Sequence, residues 1–256
     1  MERILFIPSE NTKVIVNPSP QTRSTNPKME SAIDTVWQRK KGIAKRTSRA
    51  LWDSPTYRLS SWETPEPNTL VLNLGETTYK ETLGTHEAYP RYINKNLGPE
   101  YFANTIVVTG SLITSDGIFV IGERSKGIIE SGKYGTLGGS LDKKQDKKIT
   151  SMQDIAQAFQ DEIEEEIGIK PQDITSVTFI GLTQDAKFYP QLHFIGKIPH
   201  PFSWIKQRFI EQGDEEHLRL IGIPITELAI LGPQYMNNGS GALRTHLLLL
   251  AQRKDF

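Results

Sequence analysis

The 256-residue chain has no cysteine, no excess of either charge and no long apolar run. The missing cysteine excludes disulfides, thiolate zinc sites, iron–sulfur clusters and cysteine nucleophiles. Thirty Lys and Arg stand against 30 Asp and Glu, so the formal net charge is zero. A generic binder of nucleic acid or of an anionic membrane carries a basic excess, and neither partner is expected. No stretch approaches the roughly 20 apolar residues of a membrane span. The apolar run at residues 4–7, stopped by Pro8, is too short for a secretory signal. The expectation is a soluble, cytoplasmic protein. A chain of this length can bury roughly 70–75% of its unfolded surface, so it needs no metal or disulfide staple to fold.

Short strand-like runs and turn signals fill the first third. Residues 4–7, 14–16 and 70–74 read as strands, and residues 28–47 as a helix with Ile33, Val36 and Trp37 on one face. Trp37 and Trp52 are expected in the core. The segment 83–97 is loop or helix, and Gly98-Pro99 follows it. A boundary there predicts an N-terminal extension over 1–103 and a main domain over 104–256. In the main domain, Ser115-Asp116-Gly117 predicts a hairpin between strands at 105–114 and 118–121. A Gly-rich loop, Tyr134-Gly135-Thr136-Leu137-Gly138-Gly139, precedes a helix over 151–167 that Gly168 closes. Strands at 177–182, 191–198 and 221–225 and helices at 203–212 and 241–253 complete an interleaved α/β order.

Zero net charge is an average over two segregated blocks. Arg39, Lys40, Lys41, Lys45, Arg46 and Arg49 occur with no acid between Asp34 and Asp53; a solvated helix flank accounts for them, and a phosphate or partner contact is the alternative. The acidic block is different. Five of the six residues 161–166 are acidic, on a predicted helix. At 100° per residue from Ile155, Ala158, Phe159, Ile163 and Ile167 fall at roughly 300°, 40°, 80° and 120°. Glu162, Glu165 and Glu166 fall at roughly 340°, 280° and 20°, whereas Asp161 and Glu164 point away. Three carboxylates therefore occupy or border the face that meets the core, where like charges repel and lose hydration. No basic residue lies in 149–169 to pair with them. A divalent cation is the natural partner, and oxygen-only ligation points to Mg²⁺ or Mn²⁺.

These residues carry a resemblance. The run Asp161-Glu162-Ile163-Glu164-Glu165-Glu166-Ile167-Gly168-Ile169 resembles the second half of the Nudix box, R-E-U-x-E-E-x-G-U with U apolar, with Asp161 in place of Arg. Gly138-Gly139 resembles the pair that opens the box. From Gly139 to position 161 the chain runs 22 residues, about eight more than the box allows. The tract Lys143-Lys144-Gln145-Asp146-Lys147-Lys148 is the simplest insertion. Gln153 stands where the box has the Glu that braces its Arg, so both members of that salt bridge are replaced together.

A narrower similarity runs in order along the chain. Leu51-Trp52-Asp53-Ser54-Pro55-Thr56-Tyr57-Arg58-Leu59, Leu74-Gly75-Glu76-Thr77-Thr78-Tyr79 and Leu83-Gly84-Thr85 resemble the N-terminal region of Nudix hydrolases acting on UDP-glucose and UDP-galactose. His86 stands where that group has Asn.

The resemblance implies a Nudix α/β/α sandwich with a mixed sheet, plus an N-terminal α+β extension. It also implies Mg²⁺-dependent hydrolysis of a nucleoside diphosphate sugar to UMP and a sugar 1-phosphate. Glu162, Glu165 and Glu166 would be catalytic and, with the Gly139 carbonyl, ligate the metal. Tyr57, Arg58, Thr85 and Gly138 would meet substrate. Glu215 or Glu216 would supply a further acid from a later loop, although a solvated loop also accounts for both. His86, His193 and His217 are read as structural, and Gln191 and His193 alternate along a strand that can line the cleft. The alternatives are a non-catalytic module that binds the nucleotide sugar, and a pyrophosphatase for ADP-ribose or dinucleotides.

Overall fold

A computed structural model describes residues 2–46, 51–125, 130–143 and 148–253. Arg49 of the basic block and residues 144–147 of the expected insertion lie outside the described residues.

Two sheets organise the chain. The first part contains β1 (Arg3–Phe6), β2 (Lys13–Pro18), α1 (Pro27–Arg46), β3 (Pro55–Glu63) and β4 (Thr69–Thr78). It continues with the short α2 (Tyr79–Thr82), a π-helical turn over Leu83–Ala88 and α3 (Pro90–Asn96). Next come β5 (Val107–Ile113), β6 (Ile118–Arg124), the two-residue β7 (Tyr134–Gly135) and α4 (Met152–Ile167). The last part contains β8 (Ser176–Gln184), β9 (Pro190–Lys197), α5 (Phe202–Gln212), β10 (His217–Pro224), α6 (Leu228–Asn237) and α7 (Gly241–Gln252). The large sheet has the order β1-β8-β9-β5-β6-β10, with β7 paired to β6. It is mixed, because β5 runs parallel to β9 while its other pairings are antiparallel. The small sheet is β2-β4-β3.

Alternation along the strands puts a core on each face of the large sheet. Val120 of β6 and Leu192 and Phe194 of β9 pack with Ile155, Phe159, Ile163 and Ile167 of α4. Phe119 and Ile121 of β6 and Ile195 of β9 pack instead with Leu243, Leu247, Leu249 and Leu250 of α7. The result is a helix–sheet–helix sandwich of mixed α/β class, as the resemblance implied. The small sheet joins the α4 side, since Leu70, Leu72 and Leu74 share that core. The N-terminal 103 residues also give β1 to the large sheet, at its edge against β8.

Helix α4 starts and stops where its sequence says. Ser151 and Asp154 form a reciprocal capping box, with Asp154 N–H donating to Ser151 Oγ at 3.2 Å and Ser151 N–H to Asp154 Oδ2 at 2.9 Å. Gly168 closes the helix in the left-handed conformation, φ 72°. One core expectation is corrected. Trp37 is buried, but Trp52 is 67% exposed, on the stretch leading into β3. Four elements go beyond the sequence reading, β3, α2, α6 and the two-residue β7 inside the expected Gly-rich loop. Among the described residues, no helix is long and apolar enough to cross a membrane.

Candidate functional site

The site is built around the Gly138-Gly139 bend. Leu137 and Gly110 of β5 exchange backbone hydrogen bonds of 2.9 Å, and Gly139 O accepts from Val108 N–H at 2.9 Å. The loop is thus fastened along β5. Gly138 takes φ 124°, and a Cβ there would run into the backbone of Val108 and Thr109. Only glycine fits.

Helix α4 brings its carboxylates to this bend in three different environments. Glu166 is 2% exposed. Its Oε2 accepts from Gly138 N–H at 2.9 Å and lies 3.3 Å from His217 Nε2. Its Oε1 is buried without a hydrogen-bond partner. Burial, reinforced by the charge of Glu216, holds the Glu166 carboxyl well above the usual range, against the opposing pull of Gly138 N–H and Arg124. Glu162 occupies with its carboxylate the space that a Cβ at Gly139 would need. Burial, then the charges of Glu166 and Glu165, push it up to about 9. Glu165 is exposed, with its charge still felt by Glu162. Asp161 and Glu164 point away as the wheel has it: Asp161 accepts from Gln157 Nε2 at 2.9 Å, and Glu164 is exposed.

Residues outside the motif complete the group. His217, at the start of β10, packs its ring where a Cβ at Gly122 would sit. Burial, helped by Arg124, lowers its imidazole to about 4. With Glu166 pushed up and His217 pushed down, both shifts favour an uncharged pair. Arg124 forms an ion pair with Glu216 at 3.5 Å, and Asp214 N–H donates to the Glu166 carbonyl at 3.2 Å. Of the two acids expected from the later loop, Glu216 therefore reaches the site, while Glu215 is exposed. Asp142, just past the bend, adds to the negative charge at Glu162. His217, Arg124 and Asp142 carried no motif in the sequence. Only the proximity of His217 to Glu215 and Glu216 hinted at it.

Of the four expected substrate contacts, Gly138 lies at the bend, and Tyr57, Arg58 and Thr85 lie elsewhere. Tyr57 is buried, and its hydroxyl accepts from Ile149 N–H at 3.3 Å. Arg58 is 2% exposed, and its guanidinium donates to the carbonyls of Ala103, Gln21 and Phe102 at 3.2, 3.1 and 3.4 Å. Burial draws it below the ordinary arginine range. The Thr85 hydroxyl donates to Glu81 O at 2.9 Å and accepts from Ala103 N–H at 3.1 Å. His86 stacks between Phe102 and Tyr189, at centroid distances of 5.0 and 4.3 Å. Its Nδ1–H donates to Lys187 O and its Nε2 accepts from Asn104 N–H, both at 2.9 Å. A cleft of about 150 Å³ opens beside the bend, lined by Gly138, Gly139 and Gln191 but not by Tyr57, Arg58 or Thr85. His193, expected with Gln191, is fully buried behind it.

Among the described residues, no three Asp, Glu or His side chains converge on one point. The donor set suits a hard divalent ion in kind. It is all oxygen, Glu166 Oε1 is buried and unpaired, and neighbouring carboxylates raise one another. One lone pair of the Gly139 carbonyl is taken by Val108, leaving the other.

No family model and no curated protein matches the chain. Solved structures do show similarity. The NUDIX domain of Shewanella oneidensis NrtR, crystallised with ADP ribose, is 15% identical over 64% of this chain and 96% of its own, with TM-score 0.41. The MutT protein of Methanosarcina mazei Go1 is 18% identical over 59% and 95%, with TM-score 0.38. The MutT NUDIX hydrolase of Burkholderia pseudomallei is 18% identical over 57% and 97%, with TM-score 0.35.

Proposed function

We propose that the chain is a Nudix-type hydrolase of the cytoplasm. Its reaction splits the diphosphate of a nucleoside diphosphate sugar, UDP-glucose or UDP-galactose, into UMP and a sugar 1-phosphate. The observation that carries this reading is Glu166, a buried carboxylate with one oxygen fixed by Gly138 N–H and the other unpaired. A structural carboxylate in a core has both oxygens satisfied.

Glu162, Glu165 and Glu166 would hold Mg²⁺ or Mn²⁺, with the Gly139 carbonyl beside them. Bound there, the ion would polarise phosphate oxygens and acidify a water. The chain supplies the rest. Gly138 N–H orients Glu166 by donating to its Oε2, and His217 lies beside that oxygen at 3.3 Å, leaving Oε1 for the ion. Glu162, its carboxylate packed against Gly139, would be the group to accept a water's proton once a bound cation offsets the charges of Glu165 and Glu166.

The test is incubation with Mg²⁺ and UDP-glucose, followed by chromatography for UMP. Absence of turnover of any nucleotide sugar would sink the proposal. Glu166→Gln retains an acceptor for Gly138 N–H, so the fold should persist while the rate drops by about 10²-fold or more. An unchanged rate would show that Glu166 is structural.

A second reading is favoured by one observation: no three acidic or imidazole groups converge among the described residues. A non-catalytic module would bind a nucleotide sugar tightly and leave it intact. A panel with ADP-ribose and dinucleotides separates the remaining pyrophosphatase alternative.

A further inference from the structure

The cleft beside the Gly138-Gly139 bend holds a side-chain amide whose orientation is set from behind. Gln191 Oε1 lies 2.6 Å from Thr245 Oγ1 and 3.3 Å from Thr183 Oγ1. A separation of 2.6 Å suits O–H···O rather than N–H···O, so Thr245 donates and the amide oxygen accepts. Thr183 Oγ1 also meets His193 Nε2 at 2.8 Å, and His193 Nδ1 meets His246 Nδ1 at 3.1 Å.

A polarity that runs towards Gln191 satisfies these contacts. His246 Nδ1–H donates to His193 Nδ1, and His193 Nε2–H donates to Thr183, which donates to Gln191. It requires both imidazoles to be neutral, and burial lowers both, His246 to about 3. His246 Nε2 is then the end of the chain, a buried lone pair with no partner. Thr245 Oγ1 also lies 3.0 Å from the carbonyls of Gly241 and Ala242 and 3.3 Å from His193 Nε2, and its contact with the amide oxygen is the shortest of the four. The Gln191 NH₂ group is left for the cleft, and no partner for it occurs among the described residues.

The surrounding charges select what those two donors meet. Glu87, Glu130 and Asp185 line the cleft against two cations, Arg124 and Lys187. Lys187 is already spent on Glu87 at 2.7 Å, and Arg124 on Glu216. Glu130 is paired in turn with Lys133 at 3.0 Å, so the lining has no cation left over for a phosphate, while its carboxylates keep lone pairs for hydroxyl donors. Gln191 supplies the complementary donors. A neutral group carrying both O–H donors and oxygen acceptors answers this set.

We infer that this cleft is a subsite for a neutral polyhydroxyl group, a sugar ring, with Gln191 as its specificity-determining donor and Thr245 as the residue positioning it. The identity of that ring as the sugar of a nucleotide sugar rests on the function proposed above.

Calorimetric titration of the full chain with UDP-glucose and with UDP provides the test. Gln191→Glu keeps the acceptor oxygen and removes both donors; UDP-glucose affinity should fall about 10-fold with UDP affinity unchanged. Thr245→Val, which touches no ligand, should give a smaller loss with the same selectivity and a native melting curve. Equal losses for both ligands, or none, overturn the subsite. A second measurement follows the Gln191 side-chain amide in ¹H–¹⁵N spectra, assigned by its disappearance in Gln191→Glu, during titration with methyl α-D-glucopyranoside. If the wild type binds neither nucleotide but this signal moves, the subsite stands and the nucleotide-sugar reading falls. If it does not move, the subsite falls as well.

Discussion

Arg58 shows how a motif residue can change its meaning in three dimensions. Beside Tyr57, it reads in the sequence as a diphosphate contact. In the fold its guanidinium is buried and spends its donors on carbonyls of residues 21, 102 and 103. Arg58→Ala leaves those acceptors unmatched and should lower stability by about 2–4 kcal/mol in chemical denaturation. A substrate contact would behave oppositely, raising KM with the melting temperature unchanged. His86 makes a pH prediction. Its folded pKa, about 4, lies below the ordinary 6.5 because burial penalises the imidazolium. The unfolded chain therefore binds the proton first. Stability from this residue is complete above pH 6.5 and is lost as pH falls towards 4. His86→Gln should be less stable at pH 7, yet lose about 3 kcal/mol less across that window. Parallel wild-type and variant curves in denaturant titrations at stepped pH would refute it.

At the level of elements, α4 was fully legible. Its apolar angles, its capping box and its terminal glycine all lie within one stretch of chain. The inward turn of Glu162 and Glu166 followed from the same wheel, and both are desolvated in the fold. The hairpin at Ser115-Asp116-Gly117 was legible for the same local reason. Strand β3 was not, because its alternation holds only from Thr56 to Ser60 and the register shifts between Leu59 and Ser61; nor was α6, where Gly232 and Pro233 fall inside the helix. The partners of the site were hidden for a different reason. His217, Arg124 and Asp142 reach α4 across the sheet or the bend, and no local spacing encodes that. The bend itself yields a prediction. Gly138→Ala places a Cβ against the backbone of β5 at φ 124°, and should cost about 3 kcal/mol or more. Thermal unfolding reads the loss, and a shift of under 2 °C would mean that the bend rearranges freely.

Across the whole molecule, the proposed division at residue 103 meets a shared interior. Leu70, Leu72 and Leu74 of the small sheet pack in one core with Ile155 and Phe159 of α4. Antiparallel bridges join Thr56 to Asp142 and Arg58 to Thr105 across the junction. The two parts should therefore unfold together. Tryptophan fluorescence, with Trp37 in the first part and Trp204 in the second, and far-ultraviolet dichroism should give coincident midpoints. Two separated transitions would show autonomous domains.

Strand β1 has a bearing on how the chain is made. Arg3 pairs with Gln184, so β1 waits for a strand translated 181 residues later. At ordinary elongation rates that is a delay of roughly 10–40 s, with an unpaired edge exposed beside the ribosome. The large sheet is completed only late in synthesis. Shielding β1 until β8 has emerged should therefore raise the yield of folded chain.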